Sequence, residues 1–330
     1  MKIASMLSSG GRTFSFEFYP PKKEEDIPAL KSAISELREL GPDFVSITLS
    51  QKYMPTWNFA SISNTLALSG VLRHEFSLEV MAHLTTAIIR DQQTLEETLK
   101  LVKILGLENV LALRGDLDPG REGERAFAYA SDLVPAVKEG GDFCVGVAAY
   151  PEKHPEAPSL AEDVRRLKQK MDAGGEFAIT QVFFDNAAFF RFRDAAAAAG
   201  VTAPIIPGLM PLTSLRQRDN FVAGQGISVP AALSAGLEKH GGDKEALFAF
   251  GLDYAVNQAE ELLAAGVPGL HFYTFNKSKA TREVFSRLNP ARRRARNNEP
   301  PAHQVPGAMP PGPGTDCGKS RPDPARSRLV

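Results

Sequence analysis

Cysteines, long apolar runs and an excess of one charge are all scarce in this chain, and each shortage excludes a class of protein. The two cysteines, Cys144 and Cys317, provide neither a disulfide framework nor a thiolate metal site, which favours a reducing cytoplasm. No apolar stretch approaches the roughly 20 residues that a membrane span needs, and the N-terminus lacks the apolar core of an export signal. The sequence therefore predicts a soluble, cytoplasmic protein.

Charge gives no reason to expect a nucleic-acid partner. The formal net charge is -1, and the one dense basic run, residues 291–296, lies beyond the last apolar segment. The six histidines are scattered, without the cysteine or carboxylate spacing of a metal site, so we expect no metal. Glycine-rich dinucleotide loops, P-loops and serine-nucleophile elbows are missing as well.

What the sequence does contain is a regular alternation of strand and helix patterns. Short runs rich in β-branched or aromatic residues occur at 14–18, 44–48, 78–83, 110–114, 143–150, 177–183, 204–209 and 270–275. Helical periodicity separates most of them, notably at 24–40, 94–105, 159–172 and 186–199. Because this alternation requires parallel strands, eight such units predict an α/β protein built on a closed (βα)8 TIM barrel.

One domain, residues 1–289, should hold the whole barrel. The long connection between strands seven and eight must contain extra helices, around 215–221 and 245–265. From 290 to 330 Pro, Gly, Arg and Asn replace periodic apolar residues, so too little apolar surface can be buried to offset the entropy of ordering. We therefore expect this tail to be disordered.

The first predicted strand carries a glutamate close to its C-terminal end, where barrel enzymes gather their catalytic groups. Alternation places the three phenylalanines of residues 14–18 toward the helices, and Ser15 with Glu17 toward the lumen. Desolvation favours the protonated form of a carboxyl group, so Glu17 could carry a proton at neutral pH. By position alone, an ion pair between Glu17 and a lysine such as Lys22 explains the pattern equally well.

Hydrogen-bonding groups also stand at the ends of the next five strands: Thr48, His83, Arg114 with Asp116, Tyr150 and Gln181. Singly, each has a structural alternative, because His83 could be a core histidine, Tyr150 a rim aromatic and the Arg114–Asp116 pair a salt bridge. Their convergence at one end of the barrel indicates a binding site. Cations and helix N-termini there suit an anionic diphosphate, and Asp116 with Gln181 suits a heteroaromatic ring.

Seven segments, taken in order, resemble those of the methylenetetrahydrofolate reductase family. They are residues 14–21, 81–85, 111–116, 147–157, 177–185, 205–211 and 266–276, and they include the runs FSFEFYPP, LALRGD and AAYPEKHPEA. The resemblance extends from about residue 13 to residue 288 and leaves out the tail. It implies FAD-dependent reduction of 5,10-methylenetetrahydrofolate to 5-methyltetrahydrofolate for one-carbon and methionine metabolism, with NADH or NADPH as donor and ping-pong kinetics. We also expect a homo-oligomer.

The resemblance assigns roles by position. Glu17 matches the acid that protonates N5 of the folate, and Asp116 matches the carboxylate beside flavin and pterin. The flavin-contact positions are Thr48, His83, Arg114, Gly115, Asp116, Ala130, Tyr150, His154, Ala157, Asp163, Arg166, Gln169 and Lys170. The substrate positions are Asp116, Gln181, Gln217, Phe221 and Lys277, the last in place of an arginine often found there.

The loop after the second strand departs from the family pattern. A glycine-rich turn beginning Thr-Tyr-Gly-Ala is usual there, whereas residues 49–59 contain Tyr53, Pro55 and Trp57. Either the loop follows another path and activity is ordinary, or it blocks the nicotinamide and electrons come from a partner protein. A non-catalytic barrel that binds folate or a partner subunit is a further alternative, against which the retention of Glu17, Asp116 and Gln181 argues.

Overall fold

Eight parallel strands close into a barrel in sequence order, in a computed structural model that describes residues 1–49, 59–115, 126–225 and 227–288. The strands are β1 (Thr13–Phe18), β2 (Phe44–Ile47), β3 (Val80–Thr85), β4 (Asn109–Leu113), β5 (Cys144–Ala149), β6 (Phe177–Val182), β7 (Ile205–Leu209) and β8 (Gly269–Tyr273). The predicted TIM barrel is confirmed, and individual strand ends differ from the predicted ones by at most two residues. The predicted tail lies outside the described residues.

Helices follow the strands around the barrel. They are α1 (Ile3–Ser8), α2 (Ile27–Arg38), α3 (Phe59–His74), α4 (Gln92–Ile104), α5 (Ala130–Glu139), α6 (Leu160–Asp172), α7 (Asn186–Ala198), α8 (Leu215–Gln225), α9 (Ala231–Lys239), α10 (Lys244–Ala264) and α11 (Ser278–Leu288). The helix predicted at 24–40 is instead a 3₁₀ turn, Glu24–Asp26, followed by α2, which has Pro28 in its first turn. The connection between β7 and β8 holds α8, α9 and α10, and α9 is an addition to the predicted helices.

Side-chain caps explain where several helices begin. Asp91 accepts a hydrogen bond from the Thr94 amide before α4, and Ser159 accepts one from the Glu162 amide before α6. Asp243 does the same for two amides of α10. Each cap satisfies a backbone donor that has no partner inside its own helix, which fixes the direction in which the helix leaves its loop.

The strand register determines which side chains share the lumen. Glu17 of β1 is paired with Ser46 of β2 on one side and with Tyr273 of β8 on the other. The phenylalanines of β1 pack outward against the helix layer, where Phe14 and Phe16 meet Phe285 of α11 edge to face. The predicted orientation of β1 is therefore correct.

The N-terminal end of the lumen is filled by apolar side chains. Ile3 and Leu7 of α1 pack against residues from most of the strands: Phe44, Met81, Leu111, Cys144, Phe177, Ile179 and Ile206. The Ile3 amide donates to Asn109 Oδ1 at 2.8 Å, which holds α1 in this position. We call this cluster the barrel floor. Cys144 within it is a free, buried thiol.

No helix in the described part of the chain combines the length and apolar character needed to cross a membrane.

Candidate active site

Glu17 lies in the lumen above the barrel floor and is only 4% exposed. Its Oε2 accepts a hydrogen bond from the Ser46 hydroxyl at 3.4 Å and lies 3.7 Å from Nε2 of both His83 and His271. Among the described residues its neighbours are therefore a hydroxyl and two imidazoles. The lysine partner that the sequence left open is not one of them.

His83, near the end of β3, is buried with unsatisfied hydrogen-bonding capacity. Neither ring nitrogen has a hydrogen-bond partner among the residues that the structure describes. Burial, together with the nearby His271, lowers the pKa of His83 to about 4 against the opposing charge of Glu17, so the ring is neutral at neutral pH. A buried polar group without a partner costs free energy that a ligand can recover, so His83 indicates that something binds beside it.

A cleft of about 350 Å³ opens at the ends of β4 and β5, between the start of α5 and α6. Nine of the predicted flavin-contact residues line it: Arg114, Gly115, Ala130, Tyr150, His154, Ala157, Asp163, Arg166 and Lys170. Three predicted members, Thr48, His83 and Gln169, do not line it. The Thr48 amide donates to the Phe18 carbonyl at the end of β1, and Gln169 accepts from Arg166 on α6. The predicted Asp116 lies outside the described residues.

The cleft carries a high density of cations held by acidic partners. Arg114 makes a two-pronged ion pair with Glu156, with N–O distances of 2.6 and 2.7 Å. This pair raises the pKa of Arg114 and lowers the pKa of Glu156. Burial of its ammonium group lowers the pKa of Lys170 to about 8, and burial also lowers the pKa of His154. The cleft lining holds as many carboxylates as cations, so individual guanidinium and ammonium groups, and not a net positive charge, are what could hold an anion.

Aromatic rings and a left-handed turn complete the cleft. Tyr150 meets His154 edge to face at 4.8 Å, and the guanidinium of Arg166 lies 5.5 Å from the Tyr129 ring centre. Gly115, which ends the described part of the β4 loop, has φ of +78°, a conformation that glycine adopts without strain. The chain there turns sharply at the rim of the cleft.

The predicted substrate residues are distributed over three elements. Gln181 in β6 accepts from the Val182 amide through Oε1 at 2.8 Å. Gln217 of α8 accepts from the amide and hydroxyl of Thr213, each at 3.0 Å, so its side-chain oxygen is occupied at the helix start. Phe221 is buried and meets Phe275 at 5.9 Å, which joins α8 to the loop that also contains Lys277. These residues lie on the β6, β7 and β8 side of the mouth.

Hydrogen bonds between the loop after β8 and the end of β1 fix the backbone at Glu17 and Tyr19. We call the two made by Asn276 the Asn276 clamp. Asn276 accepts from the Tyr19 amide at 2.8 Å and donates to the Tyr19 carbonyl at 2.9 Å. Thr274 donates its hydroxyl to the Glu17 carbonyl at 2.5 Å. Both Phe275 and Asn276 have positive φ, so the loop bends sharply to make these contacts.

Several of these residues were not predicted from sequence. His271 and Tyr273 follow from the same alternation that identified Glu17, since both face the lumen two residues apart in β8. Glu156 lies inside a recognised segment, yet its pairing with Arg114 joins residues 42 positions apart and has no local signal. Within the described residues, no group of His, Cys, Asp or Glu side chains is arranged to hold a metal ion.

Comparison with known proteins gives one consistent family. A family model described as "Methylenetetrahydrofolate reductase" matches residues 2–289. The 5,10-methylenetetrahydrofolate reductases of Pectobacterium carotovorum and Escherichia coli are each 36% identical over 265 residues, covering 80% of this chain and 86% of theirs. An Arabidopsis thaliana relative named "Methylenetetrahydrofolate reductase (NADH) 1" is 33% identical over 304 residues, covering 87% of this chain and 50% of its own length.

Solved structures agree on the fold. A Clostridium thermocellum protein described as binding two copies of 5-methyl-5,6,7,8-tetrahydrofolic acid superposes with a TM-score of 0.64 at 17% identity, covering 89% of this chain and 100% of its own. A 2,3-dimethylmalate lyase superposes with a TM-score of 0.50 at 11% identity, covering 92% of this chain and 90% of its own. At such low identities these similarities show the barrel fold alone.

Proposed function

Since this chain belongs to the methylenetetrahydrofolate reductase family, we propose that it reduces 5,10-methylenetetrahydrofolate to 5-methyltetrahydrofolate with FAD as cofactor. The observation that carries this proposal is the placement of Glu17, a buried carboxyl group in the lumen at the same end of the barrel as the cleft. It lies beside an imidazole that has no hydrogen-bond partner among the described residues. A proton donor next to a cofactor site is the arrangement that this reduction needs.

The residues present fit FAD. Arg114, His154 and Lys170 would face an anionic diphosphate, and the two free ring nitrogens of His83 offer a donor and an acceptor to a heteroaromatic ring. The sharp turn at Gly115 brings backbone to the rim where such a ring would lie. When bound, FAD supplies the two-electron chemistry that links the electron donor to the folate.

Glu17 supplies the proton. Reduction requires opening of the five-membered ring of the substrate by cleavage of the bond between the methylene carbon and N10. N5 keeps the carbon that becomes the methyl group, N10 is the leaving group, and the donated proton must end on N10. A carboxyl group that is 4% exposed is shielded from bulk water, so its proton is passed to the ligand rather than to solvent. Gln181, Gln217, Phe221 and Lys277 would orient the folate from the opposite side of the mouth.

NADH or NADPH is the proposed electron donor, and donor and folate would occupy the same place in turn, with ping-pong kinetics. The alternative, in which a partner protein delivers electrons, depends on the unusual loop after β2, of which residues 50–58 lie outside the described part of the chain. Cytoplasmic location and a homo-oligomeric state also remain predictions, and light scattering of the purified chain measures the second directly.

Anaerobic stopped-flow absorbance of the FAD-loaded chain tests the proposal in two halves. Mixing with NADH or NADPH should bleach the flavin absorbance, and mixing the reduced protein with methylenetetrahydrofolate should restore it. Bleaching by neither nucleotide, together with reoxidation by the folate after chemical reduction, would support the partner-protein alternative. A colourless preparation that FAD cannot reconstitute would overturn the proposal in favour of a non-catalytic barrel.

A further inference from the structure

Beneath Glu17 the lumen contains a line of hydrogen-bonding side chains that the steps above leave unused. Ser15 Oγ lies 2.7 Å from His271 Nδ1, His271 Nε2 lies 3.4 Å from Ser46 Oγ, and Ser46 Oγ lies 3.4 Å from Glu17 Oε2. Ser15 and Ser46 are fully buried and His271 is 1% exposed. Three adjacent strands, β8, β1 and β2, contribute these side chains.

The hydrogen bonds of this line can all point the same way. If the Ser15 hydroxyl donates to Nδ1, the imidazole carries its proton on Nε2, because the partner of one ring nitrogen selects the tautomer. Nε2–H then donates to Ser46 Oγ, and the Ser46 hydroxyl donates to Glu17 Oε2. Each group then donates one hydrogen bond toward Glu17 and accepts at most one from the group before it, so the directions of all three hydrogen bonds agree.

Only one oxygen of Glu17 takes part. Among the described residues, the Ser46 hydroxyl donates to Oε2, and the shortest approaches of His83 and His271, each 3.7 Å, are also to Oε2. The carbonyl oxygen is the stronger acceptor of a protonated carboxyl group, so the hydrogen bond from Ser46 to Oε2 favours the acid proton on the other oxygen. The acid proton therefore belongs on Oε1.

We propose that His271 is a positioning residue, which acts through Ser46 to fix Glu17 Oε2 as an acceptor and so directs the acid proton to Oε1 for delivery to the substrate. The inference rests on the function proposed above. In the step itself the proton leaves Glu17 Oε1 for the substrate nitrogen, and the ionised carboxylate keeps its hydrogen bond from Ser46. His271, Ser15 and Ser46 neither gain nor lose a proton.

Among the described residues, the other titratable groups that face Glu17 do not change protonation state between pH 6 and 9. From β3, His83 is neutral because its pKa is about 4. From β8, Tyr273 keeps its phenol proton, since burial holds the pKa of Tyr273 well above its ordinary value of 10 and its hydroxyl donates to the Thr180 carbonyl at 2.8 Å. From β2, the group that faces Glu17 is the Ser46 hydroxyl. A change of pH midpoint between wild type and a variant of the line is therefore not due to His83 or Tyr273.

The test is the folate half-reaction of the FAD-loaded chain, measured by stopped flow from pH 6 to 9. His271→Phe removes the ring N–H that donates to Ser46. Ser15→Ala removes the hydroxyl that selects the tautomer of His271, and His271→Gln restores a side-chain N–H near the position of Nε2. Ser69→Ala is the matched control, because it removes a buried hydroxyl that donates to the Thr65 carbonyl within α3, outside the lumen line. Flavin reduction by NADH or NADPH is measured on every variant.

His271→Phe should slow flavin reoxidation by the folate about tenfold at pH 7, because the acid proton is no longer directed to Oε1. Its pH midpoint should rise by about one unit, because the ionised carboxylate loses a hydrogen-bond donor that Ser46 holds in place. Ser15→Ala should shift the midpoint the same way by less, His271→Gln should recover most of the rate, and Ser69→Ala should match the wild type. Reduction by the nicotinamide should be unchanged throughout.

An unchanged midpoint and a wild-type folate rate in both Ser15→Ala and a folded His271→Phe would overturn the positioning role. If His271→Phe fails to fold, the same result in Ser15→Ala alone overturns it. Failure of the wild-type reduced flavin to react with methylenetetrahydrofolate would instead overturn the proposed function. The two failures are therefore distinguishable.

Discussion

The two ends of the barrel lumen differ sharply although the same strands build both. At the barrel floor, Phe44 and Met81 pack with Leu7 of α1 in an apolar cluster. Two residues further along the same strands, Ser46 and His83 contact Glu17. One step of alternation thus separates a region that stabilises the fold from a region that carries buried polar groups at a cost. Substitutions at the barrel floor should therefore change the free energy of unfolding, whereas substitutions at the level of Glu17 should change the rate of folate reduction.

Glu17→Gln should give the largest effect of these substitutions, and the effect should be confined to the reduction of the folate. The amide cannot deliver the proton, so folate reduction should fall by about 10²- to 10⁴-fold. FAD binding and flavin reduction by the nicotinamide should persist, as measured by titration and stopped flow. Glu25→Gln, at an exposed glutamate in the 3₁₀ turn before α2, is the control. Equal folate turnover in Glu17→Gln and wild type would remove Glu17 from its role.

Met81→Ala should show the opposite behaviour at the barrel floor. Met81 is fully buried, and loss of its side chain leaves a cavity, so the free energy of unfolding should fall by about 2–5 kcal/mol. Activity per folded molecule should stay near that of the wild type below the melting temperature. Ile104→Ala, at a side chain that is 77% exposed, should change stability by less than about 0.5 kcal/mol. A large loss of folate turnover in folded Met81→Ala would contradict the division.

His83→Leu should make the FAD-free protein more stable and weaken its binding of FAD. Removing two buried, unpartnered ring nitrogens should stabilise the FAD-free protein by about 1–2 kcal/mol, while FAD should bind more weakly. The pH dependence should change too. The pKa of His83 falls from 6.5 to about 4 on folding, so the unfolded chain binds more protons in that range and stability is lost as the pH drops.

Thermal melts of FAD-free wild type and His83→Leu, followed at several pH values from 7 to 4, check this prediction. The variant should lose less stability than the wild type on acidification. Identical pH dependence, or a less stable variant at pH 7, would show that His83 already has adequate partners.

Glu156→Gln should give the smallest effect. Glu156 occupies both prongs of Arg114 and its side chain is 61% exposed, so its removal frees a cation for an anionic ligand at little structural cost. FAD should bind about twofold to fivefold more tightly, and the difference should shrink at high salt. Glu97→Gln, at an exposed position on α4, controls for net charge. Weaker FAD binding in Glu156→Gln would mean that Glu156 itself supports the ligand.

Local rules gave most of the fold and part of the site. Periodicity is a property of neighbouring residues, so the eight strands and the inward orientation of Glu17 could be predicted from short windows. The helix α9 was missed because its nine residues are too few for a clear period. The Arg114–Glu156 pair and the line from Ser15 to Glu17 join residues far apart in sequence, and only the closed barrel brings them together.

The Asn276 clamp has a consequence for how the barrel stays closed. The barrel closes where its first strand, β1, pairs with its last, β8. Asn276, just after β8, hydrogen bonds to both the amide and the carbonyl of Tyr19, just after β1, and so ties the two strands together at the mouth. A fluctuation that separates β1 from β8 would also move Glu17, because the Thr274 hydroxyl donates to the Glu17 carbonyl next to the Asn276 clamp. The closure of the cylinder and the position of Glu17, the proposed acid, therefore depend on the same contacts between β1 and the loop after β8.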